Sequence, residues 1–210
     1  MKLTIYFLVF FPIYLFGQKS NQPISLRLGY SSTNIIFNEA FEPSVNIFGR
    51  VFNTGKTFVG DGPEFGISKD LNNRVFMDLS LSTFSGRDTK TKVNNSENYY
   101  KLKGFQTAAT VNYLVRDSTK RLRINLGAGI QYLKAHLQQY ETTTSNNGQV
   151  TNQISDINIS ELQLALRPGI QFRIIPNLFV CFIVKVSISP KGRYSDNPCL
   201  SVKYSFRSKK

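Results

Sequence analysis

The one histidine of this 210-residue chain, His136, is the side chain best suited to acid–base chemistry near neutral pH. Enzymes that cleave acyl chains place such a histidine beside a serine and a carboxylate. The residues that follow it, Leu137 and Gln138, match no motif of that kind. We therefore expect His136 to lie at a loop edge without a catalytic role, and we predict no catalytic, metal or cofactor site.

A phosphate-binding loop is the second chemical candidate. Gly55-Lys56-Thr57 resembles the end of that motif, with Gly49 as its first glycine. Five residues separate the two glycines where the motif requires four, and no strand and helix are predicted on either side. We therefore reject a nucleotide site at this position.

The elements that would position any site begin with an export signal. A lysine at position 2 and a nearly unbroken apolar run, Ile5–Phe16, are followed by Gly17. This pattern predicts a secretory signal peptide over residues 1–17 and a single domain over residues 18–210, with an N-terminal membrane anchor as the lesser alternative. No later apolar run is long enough for a spanning helix, so a membrane location requires strands.

Apolar and polar residues alternate at period two across the rest of the chain, as in strands with one apolar face. Large aliphatic and aromatic residues form one face of each segment, and small, polar and scattered charged residues form the other. Phe (17) and Tyr (10) are abundant, which also favours strands. We predict eight strands, the second being the weakest: 24–30, 62–69, 74–84, 105–115, 122–132, 162–174, 180–188 and 200–206.

The small and polar face distinguishes two classes of barrel. A soluble lipocalin-like barrel or a β-sandwich turns its large apolar residues inward, whereas a membrane barrel turns them towards lipid. Small and polar side chains fill a narrow eight-stranded interior better than they cover a soluble surface. The sequence predicts an all-β fold, a closed antiparallel up-and-down transmembrane β-barrel of about eight strands; a soluble barrel or sandwich is the alternative.

With this parity, the charged residues of the polar face point into the lumen. We expect opposite charges to pair there and to fill the barrel, which leaves little room for a water channel. A site for a small anion is a lesser alternative, because bases are in excess. The predicted lumen network comprises Arg27, Glu64, Asp78, Arg123, Glu161, Arg167, Arg173, Lys185 and Lys203.

Long and short connections alternate along the chain, as in barrels with long external loops and short periplasmic turns. The predicted long loops are 31–61, 85–98, 141–156 and 189–198, and the short turns are 70–73, 116–120 and 175–177. The first loop contains an apolar stretch, 45–52. We expect this stretch to lie above the membrane or to fold over the barrel mouth, although an extra pair of strands would make ten.

The two cysteines lie at opposite ends of adjacent strands in this topology. Cys181 begins its strand at the periplasmic end, and Cys199 begins the next strand at the external end. A disulfide requires a Cα separation below about 7 Å. We therefore predict two free thiols, even in an oxidising periplasm.

From Pro23 to Phe206 the chain resembles the small eight-stranded outer-membrane β-barrel family, OmpX-like and OmpA-barrel-like proteins of the type common in Bacteroidota. The resemblance rests on strand parity, loop alternation, the Phe-Gly-Gln end of the signal and the terminal strand 200–206. It implies location in the bacterial outer membrane and recognition of Tyr204 and Phe206 by the barrel assembly machinery. An ordinary place in an aromatic girdle is the alternative for Phe206, and residues 207–210 extend past the family's aromatic end.

The formal net charge of +13 suits either nucleic acid or anionic lipid as a partner. Export and the lack of a basic, aromatic binding module argue against nucleic acid. Seven basic residues near the external strand ends are expected to contact outer-membrane lipid and lipopolysaccharide phosphates, or else to serve loop solubility: Lys90, Lys92, Lys101, Lys103, Lys134, Lys191 and Arg193. We predict a monomer with a structural or surface-interaction role and no enzymatic activity; a soluble ligand-binding barrel and a narrow pore are the alternatives.

Overall fold

The computed structural model describes residues 23–37, 45–47, 50–52, 57–87, 91–93, 96–115, 121–144 and 150–206. Every regular element in these ranges is a strand. In chain order they are β1 (Ile24–Ile36), β2 (Val45–Ile47), β3 (Arg50–Phe52), β4 (Thr57–Asp70), β5 (Val75–Arg87), β6 (Thr91–Val93), β7 (Ser96–Leu114), β8 (Leu122–Thr144), β9 (Val150–Ile175), β10 (Leu178–Ile188) and β11 (Tyr194–Phe206). The predicted signal peptide lies outside the described residues, as do Gly49, Gly55 and Lys56 of the rejected phosphate loop.

Eight of these strands close into a barrel. The order around the wall is β5, β4, β1, β11, β10, β9, β8 and β7, each antiparallel to its neighbours, and β5 pairs with β7 to complete the ring. The predicted closed eight-stranded barrel is therefore confirmed. In the described residues β2 and β3 pair with each other and not with the wall, so the stretch 45–52 does not raise the number of barrel strands to ten.

The strands are tilted because the register advances around the ring. A row of directly paired residues returns to β1 ten residues beyond its starting point, which in an eight-stranded barrel corresponds to a tilt of about 40°. No residue in this row is buried, so it forms a continuous apolar spiral on the outer wall. The spiral runs through Leu26, Ile67, Leu79, Ala109, Ile130, Leu164, Ile188, Tyr194 and Ile36.

The two ends of the barrel differ. At one end, here named the turn end, β1 begins, β11 finishes and tight turns follow β4 and β9. The side chain of Asn72 stabilises the first of these turns, since its Oδ1 accepts hydrogen bonds from the backbone N–H groups of Arg74 and Val75 at 2.8 and 2.7 Å. The opposite end, which carries the connections after β1, β5, β8 and β10, is the loop end.

Several strands extend further at the loop end than the sequence predicts. β8 has 23 residues and β9 has 26, and they pair as far as Thr144 and Val150, so most of the predicted loop 141–156 is strand. The predicted loop 189–198 is also wrong, because β11 begins at Tyr194 after a short turn in which Gly192 has a φ of 75°. Polar residues such as Thr, Ser and Asn dominate these extensions. Apolar and polar residues therefore do not alternate there, and the sequence does not predict a strand.

The polarity of the barrel is inverted relative to a soluble protein. The side chains of Arg27 and Lys185 face inward at 3% and 1% exposure, whereas Leu28 and Leu164 face outward at 66% and 73%. Exposed aliphatic surface is unfavourable in water by about 25 cal/mol per Å² and carries no such cost in lipid. The described residues contain no helix with the length and hydropathy to cross a membrane.

Candidate functional site

Five of the nine predicted lumen residues meet in one ion network that joins five strands. Arg27 donates from Nη1 to Glu64 Oε1 at 2.7 Å and from Nη2 to Asp78 Oδ1 at 3.0 Å. Lys185 Nζ lies 2.7 Å from the second oxygen of Glu64, and Arg167 Nη2 lies 3.3 Å from the second oxygen of Asp78. Each carboxylate is therefore shared by two cations.

The network contains three cations and two carboxylates, so neutral groups complete it. Arg167 also donates to Asn112 Oδ1 at 2.8 Å, and Lys185 donates to Ser80 Oγ at 3.4 Å. Burial of such ions is tolerated only when their charges and hydrogen bonds are matched. Gly66 provides the space, because a Cβ there would lie 2.7 Å from Arg27 Nη2. Parity places Gly66 on the same inward face as Glu64, but it does not predict the contact with Arg27.

Glu161, the sixth predicted lumen residue, lies apart from the network. Its side chain is buried and forms an ion pair with Arg193 of the turn between β10 and β11. The guanidinium of Arg193 also lies 5.1 Å from the ring centroid of Phe37. Arg193 is thus bound within the barrel mouth, and its contact with lipid phosphates stays a prediction.

The remaining three predicted lumen residues lie near the turn end. The ammonium of Lys203 is 4.9 Å from the ring centroid of Phe76, and the guanidinium of Arg123 is 4.5 Å from that of Phe179. These are cation–π distances. Arg173 is half-buried and lies directly across from Phe179 in the β9–β10 ladder. Cations stacked on aromatic rings therefore line this end of the lumen.

Sequence reasoning missed an apolar cluster inside the barrel at the loop end, here named the apolar plug. Leu102, Leu133 and Leu137 are fully buried in it, and Phe58 stacks edge-on against Phe37 at 5.5 Å. The signal was present, because inward positions on β7 and β8 change from glutamine to leucine towards the loop end. The plug comprises Ile35, Phe37, Phe58, Phe84, Leu102, Leu133, Ala135, Leu137 and Ile159.

Hydrogen-bonded amides and hydroxyls also line the lumen. Gln131 donates to Gln163 Oε1 at 3.1 Å, and Ser195 donates to the same oxygen at 2.8 Å. Two residues further along β11, Asn197 donates to Thr33 Oγ1 of β1 at 2.8 Å. In the described residues, side chains therefore fill the lumen from the turn end to the plug.

The outer wall carries an apolar belt with basic residues above it. On β8 the outward residues are apolar from Leu122 to Tyr132, a rise of about 25 Å at the estimated tilt. The rings of Phe105 and Tyr132 mark the upper edge, with centroids 6.1 Å apart. The next outward residues towards the loop end include three exposed lysines, here named the basic patch: Lys101, Lys103 and Lys134.

The other basic residues predicted to meet phosphates are placed differently. Lys191 is exposed in the turn between β10 and β11. Lys92 lies in β6, and Lys90 lies outside the described residues.

His136 lies inside β8 and faces outward, so its predicted loop-edge position is wrong. Its Nδ1 is 2.9 Å from Asn158 Oδ1, and its Nε2 is 3.6 Å from Asp156 Oδ1. The nearby hydroxyl of Ser160 is hydrogen-bonded to the hydroxyl of Tyr132 at 2.9 Å instead. This arrangement lacks the serine–histidine hydrogen bond of an acyl-transfer enzyme. The described residues contain no group of three or more His, Cys, Asp or Glu side chains arranged to hold a metal ion.

The two cysteines are neighbours, which contradicts the predicted separation. Cys199 pairs with Ile183 in the β10–β11 ladder, and Cys181 lies two residues along on the same face. The thiols are free and buried. The predicted lack of a disulfide agrees with this state, but for a different reason: diagonal neighbours have Cα atoms about 7–8 Å apart, at the limit for a disulfide.

Two solved structures share this architecture over most of both chains. Neisserial surface protein A aligns with a TM-score of 0.52 and 13% identity, covering 89% of this chain and 98% of that one. The outer membrane protein OprG from Pseudomonas aeruginosa aligns with a TM-score of 0.51 and 9% identity, covering 89% and 97%. This chain has the fold of a small outer-membrane β-barrel. That fold agrees with the predicted localisation in the bacterial outer membrane.

The barrel also aligns with Ail, the attachment invasion locus protein of Yersinia pestis, with a TM-score of 0.49 and 16% identity over 88% of this chain and 99% of that one. The sequence matches no protein-family model and no curated protein.

Proposed function

We propose that this barrel is an integral outer-membrane protein with a structural or surface-interaction role. The observation that carries the proposal is the inverted polarity, with a paired ion network inside and an apolar spiral outside. A soluble ligand-binding barrel would bury the aliphatic residues that this barrel exposes, such as Leu28 and Leu164. The soluble alternative is therefore not favoured.

The filled lumen argues against the pore alternative. A solute entering from the loop end would meet the apolar plug first, whose leucines at 102, 133 and 137 are fully buried. It would then meet the shared carboxylates of the ion network, and separating these buried pairs is costly. Side chains in small barrels of this size normally fill the interior.

The long strands support a role at the surface. A membrane-spanning strand needs about 9–11 residues, whereas β8 has 23 and β9 has 26. Roughly half of each strand therefore lies beyond the apolar belt at the loop end, which we assign to the cell exterior. This extension of β7, β8 and β9 offers a paired, three-stranded surface to an external partner.

The turn end then faces the periplasm. Tyr204 and Phe206 are exposed there, with ring centroids 5.0 Å apart, at the end of the last strand. Their exposure supports recognition by the barrel assembly machinery after export directed by a signal peptide over residues 1–17. We further assign the protein to the OmpX-like barrels of Bacteroidota, on the strand parity and the Phe-Gly-Gln end of the signal.

Heat modifiability in detergent tests this proposal. The mature protein should show β-rich circular dichroism and different gel mobility before and after boiling. Reconstituted into planar bilayers, it should give no steady conductance. A protein that remains folded and soluble without detergent would overturn the membrane assignment, and a reproducible open channel would replace the surface role with that of a pore.

A further inference from the structure

The basic patch places like charges side by side on the outer wall. Lys101 and Lys103 lie two residues apart on the outward face of β7. Lys103 is directly opposite His136 of β8, which makes it the diagonal neighbour of Lys134. Cβ atoms are about 5 Å apart in direct cross-strand pairs, and diagonal neighbours are about 7–8 Å apart by their Cα atoms. Like charges this close repel one another unless an anion lies between them.

The described residues supply no such anion. None of the three lysines forms an ion pair within the described ranges, and the ammonium of Lys101 rests 5.3 Å from the ring centroid of Tyr140. Two carboxylates lie at the edges of the patch against its three lysines: Asp61 lines the same surface groove as Lys103, and Asp156 lies 3.6 Å from His136. The patch therefore has net positive charge directed to its surroundings.

The height of the patch on the wall identifies those surroundings. The aromatic pair Phe105 and Tyr132 ends the apolar belt, and Lys134 pairs directly with Phe105. Aromatic girdles mark the boundary between the hydrocarbon core and the headgroups. At the external boundary, the groups in contact with the wall are lipid headgroups, and phosphates are the anions that lysines bind best there.

We propose that Lys101, Lys103 and Lys134 form a binding site for the phosphorylated headgroup of an outer-leaflet lipid. The inference rests on the proposed function, since only a barrel embedded with its loop end outward brings this patch to the headgroups. Lys134, Lys103 and Lys101 follow one another up the wall from the aromatic pair, so a headgroup bound between Lys103 and Lys134 has Lys101 above it and the apolar belt below it for the acyl chains. The hydroxyls of Tyr132 and Ser160 lie at the same boundary.

The test compares two double variants that each remove two positive charges. Lys103→Gln with Lys134→Gln removes most of the patch. Arg74→Gln with Arg121→Gln removes two exposed charges at the turn end, at the other end of the barrel from the patch. The full-length mature protein, folded in zwitterionic detergent, is titrated with bisphosphorylated lipid A, with dephosphorylated lipid A and with inorganic phosphate, and bound lipid is counted by native mass spectrometry.

We expect the patch variant to bind bisphosphorylated lipid A about 30-fold more weakly than the unmodified protein, since each lysine near an anionic headgroup contributes roughly fivefold. The control variant should change by less than about threefold, and dephosphorylated lipid A should bind weakly to all three proteins. Equal losses in both variants would overturn the proposal, as would equally tight binding of inorganic phosphate or of dephosphorylated lipid A.

Heat modifiability of the same samples distinguishes a failure of the headgroup site from a failure of the proposed outer-membrane location. A detergent-resistant barrel that does not discriminate between the lipids refutes the headgroup site and leaves the outer-membrane assignment intact. A protein that folds without detergent refutes both.

Discussion

Replacing Glu64 with glutamine tests whether the ion network is balanced as its geometry indicates. The side chain of Glu64 is fully buried and lies 2.7 Å from both Arg27 and Lys185. Glu64→Gln keeps the shape of the side chain and removes its charge. Three buried cations then share the single carboxylate of Asp78, so the excess charge of the network rises from one to two.

The geometry predicts that removing a carboxylate from the network lowers the free energy of unfolding more than removing a cation does. Loss of one partner from a buried pair costs about 3–5 kcal/mol, because the other charge stays buried without compensation. Lys185→Met removes a cation instead and leaves two arginines with two carboxylates, so we expect a smaller loss of about 1–3 kcal/mol, the cost of leaving one buried oxygen of Glu64 without its donor. Combined with Glu64→Gln, it restores the original excess of one, and most of the lost stability should return.

The assay is denaturant unfolding of the barrel in lipid vesicles, followed by circular dichroism and by gel mobility without boiling. Asp156→Asn is the matched control, because this carboxylate is 54% exposed and its contact with His136 is 3.6 Å long. We expect it to change the free energy of unfolding by less than about 0.5 kcal/mol. Equal losses for Glu64→Gln and Lys185→Met, or a double variant less stable than either single one, would refute the charge-balance reasoning.

Three further predictions use the same preparation. Gly66→Ala places a methyl group against the guanidinium of the ion network and should cost about 1–3 kcal/mol in the same unfolding assay. Leu137→Ala in the apolar plug should cost about 2–5 kcal/mol through the cavity it leaves, whereas Leu164→Ala on the outer wall should cost less because lipid fills the space. Cys181 and Cys199 should react with a thiol reagent only after unfolding, and a mass increase of two protons on reduction would show a disulfide instead.

The alternation of apolar and polar residues was enough to predict most of the fold. An alternation of one large apolar and one small or polar residue identifies a strand and its two faces, which is enough to assign Arg27 and Lys185 to the lumen. It does not give the register between strands, because the shift around the ring depends on the whole barrel. The sharing of Glu64 by these two cations was therefore not predictable from the sequence.

The cysteines illustrate the same limit. The predicted loop 189–198 ends at Pro198, which puts Cys199 at the end of its strand. In the structure β11 continues through Pro198 as far back as Tyr194, and Cys199 moves into the ladder beside Ile183. The strand thus begins six residues before its predicted start at residue 200, and this extension makes neighbours of two residues that were predicted to be remote.

The apolar plug and the long external strands have one physical explanation. Inside the membrane the wall meets hydrocarbon, so apolar residues face outward and the interior is left with polar residues, among which ions must pair. Above the belt the wall meets headgroups and water, and apolar residues pack inward again, as Leu102 and Leu137 do. The reversal of polarity along β7 and β8 therefore marks where the barrel leaves the membrane.

The basic patch begins at that same level, with Lys103 and Lys134 as the first charged outward residues above the aromatic pair. Side chains fill the lumen above and below this level. The outer wall and the external strands are therefore the surfaces that remain available to a lipid or a protein partner.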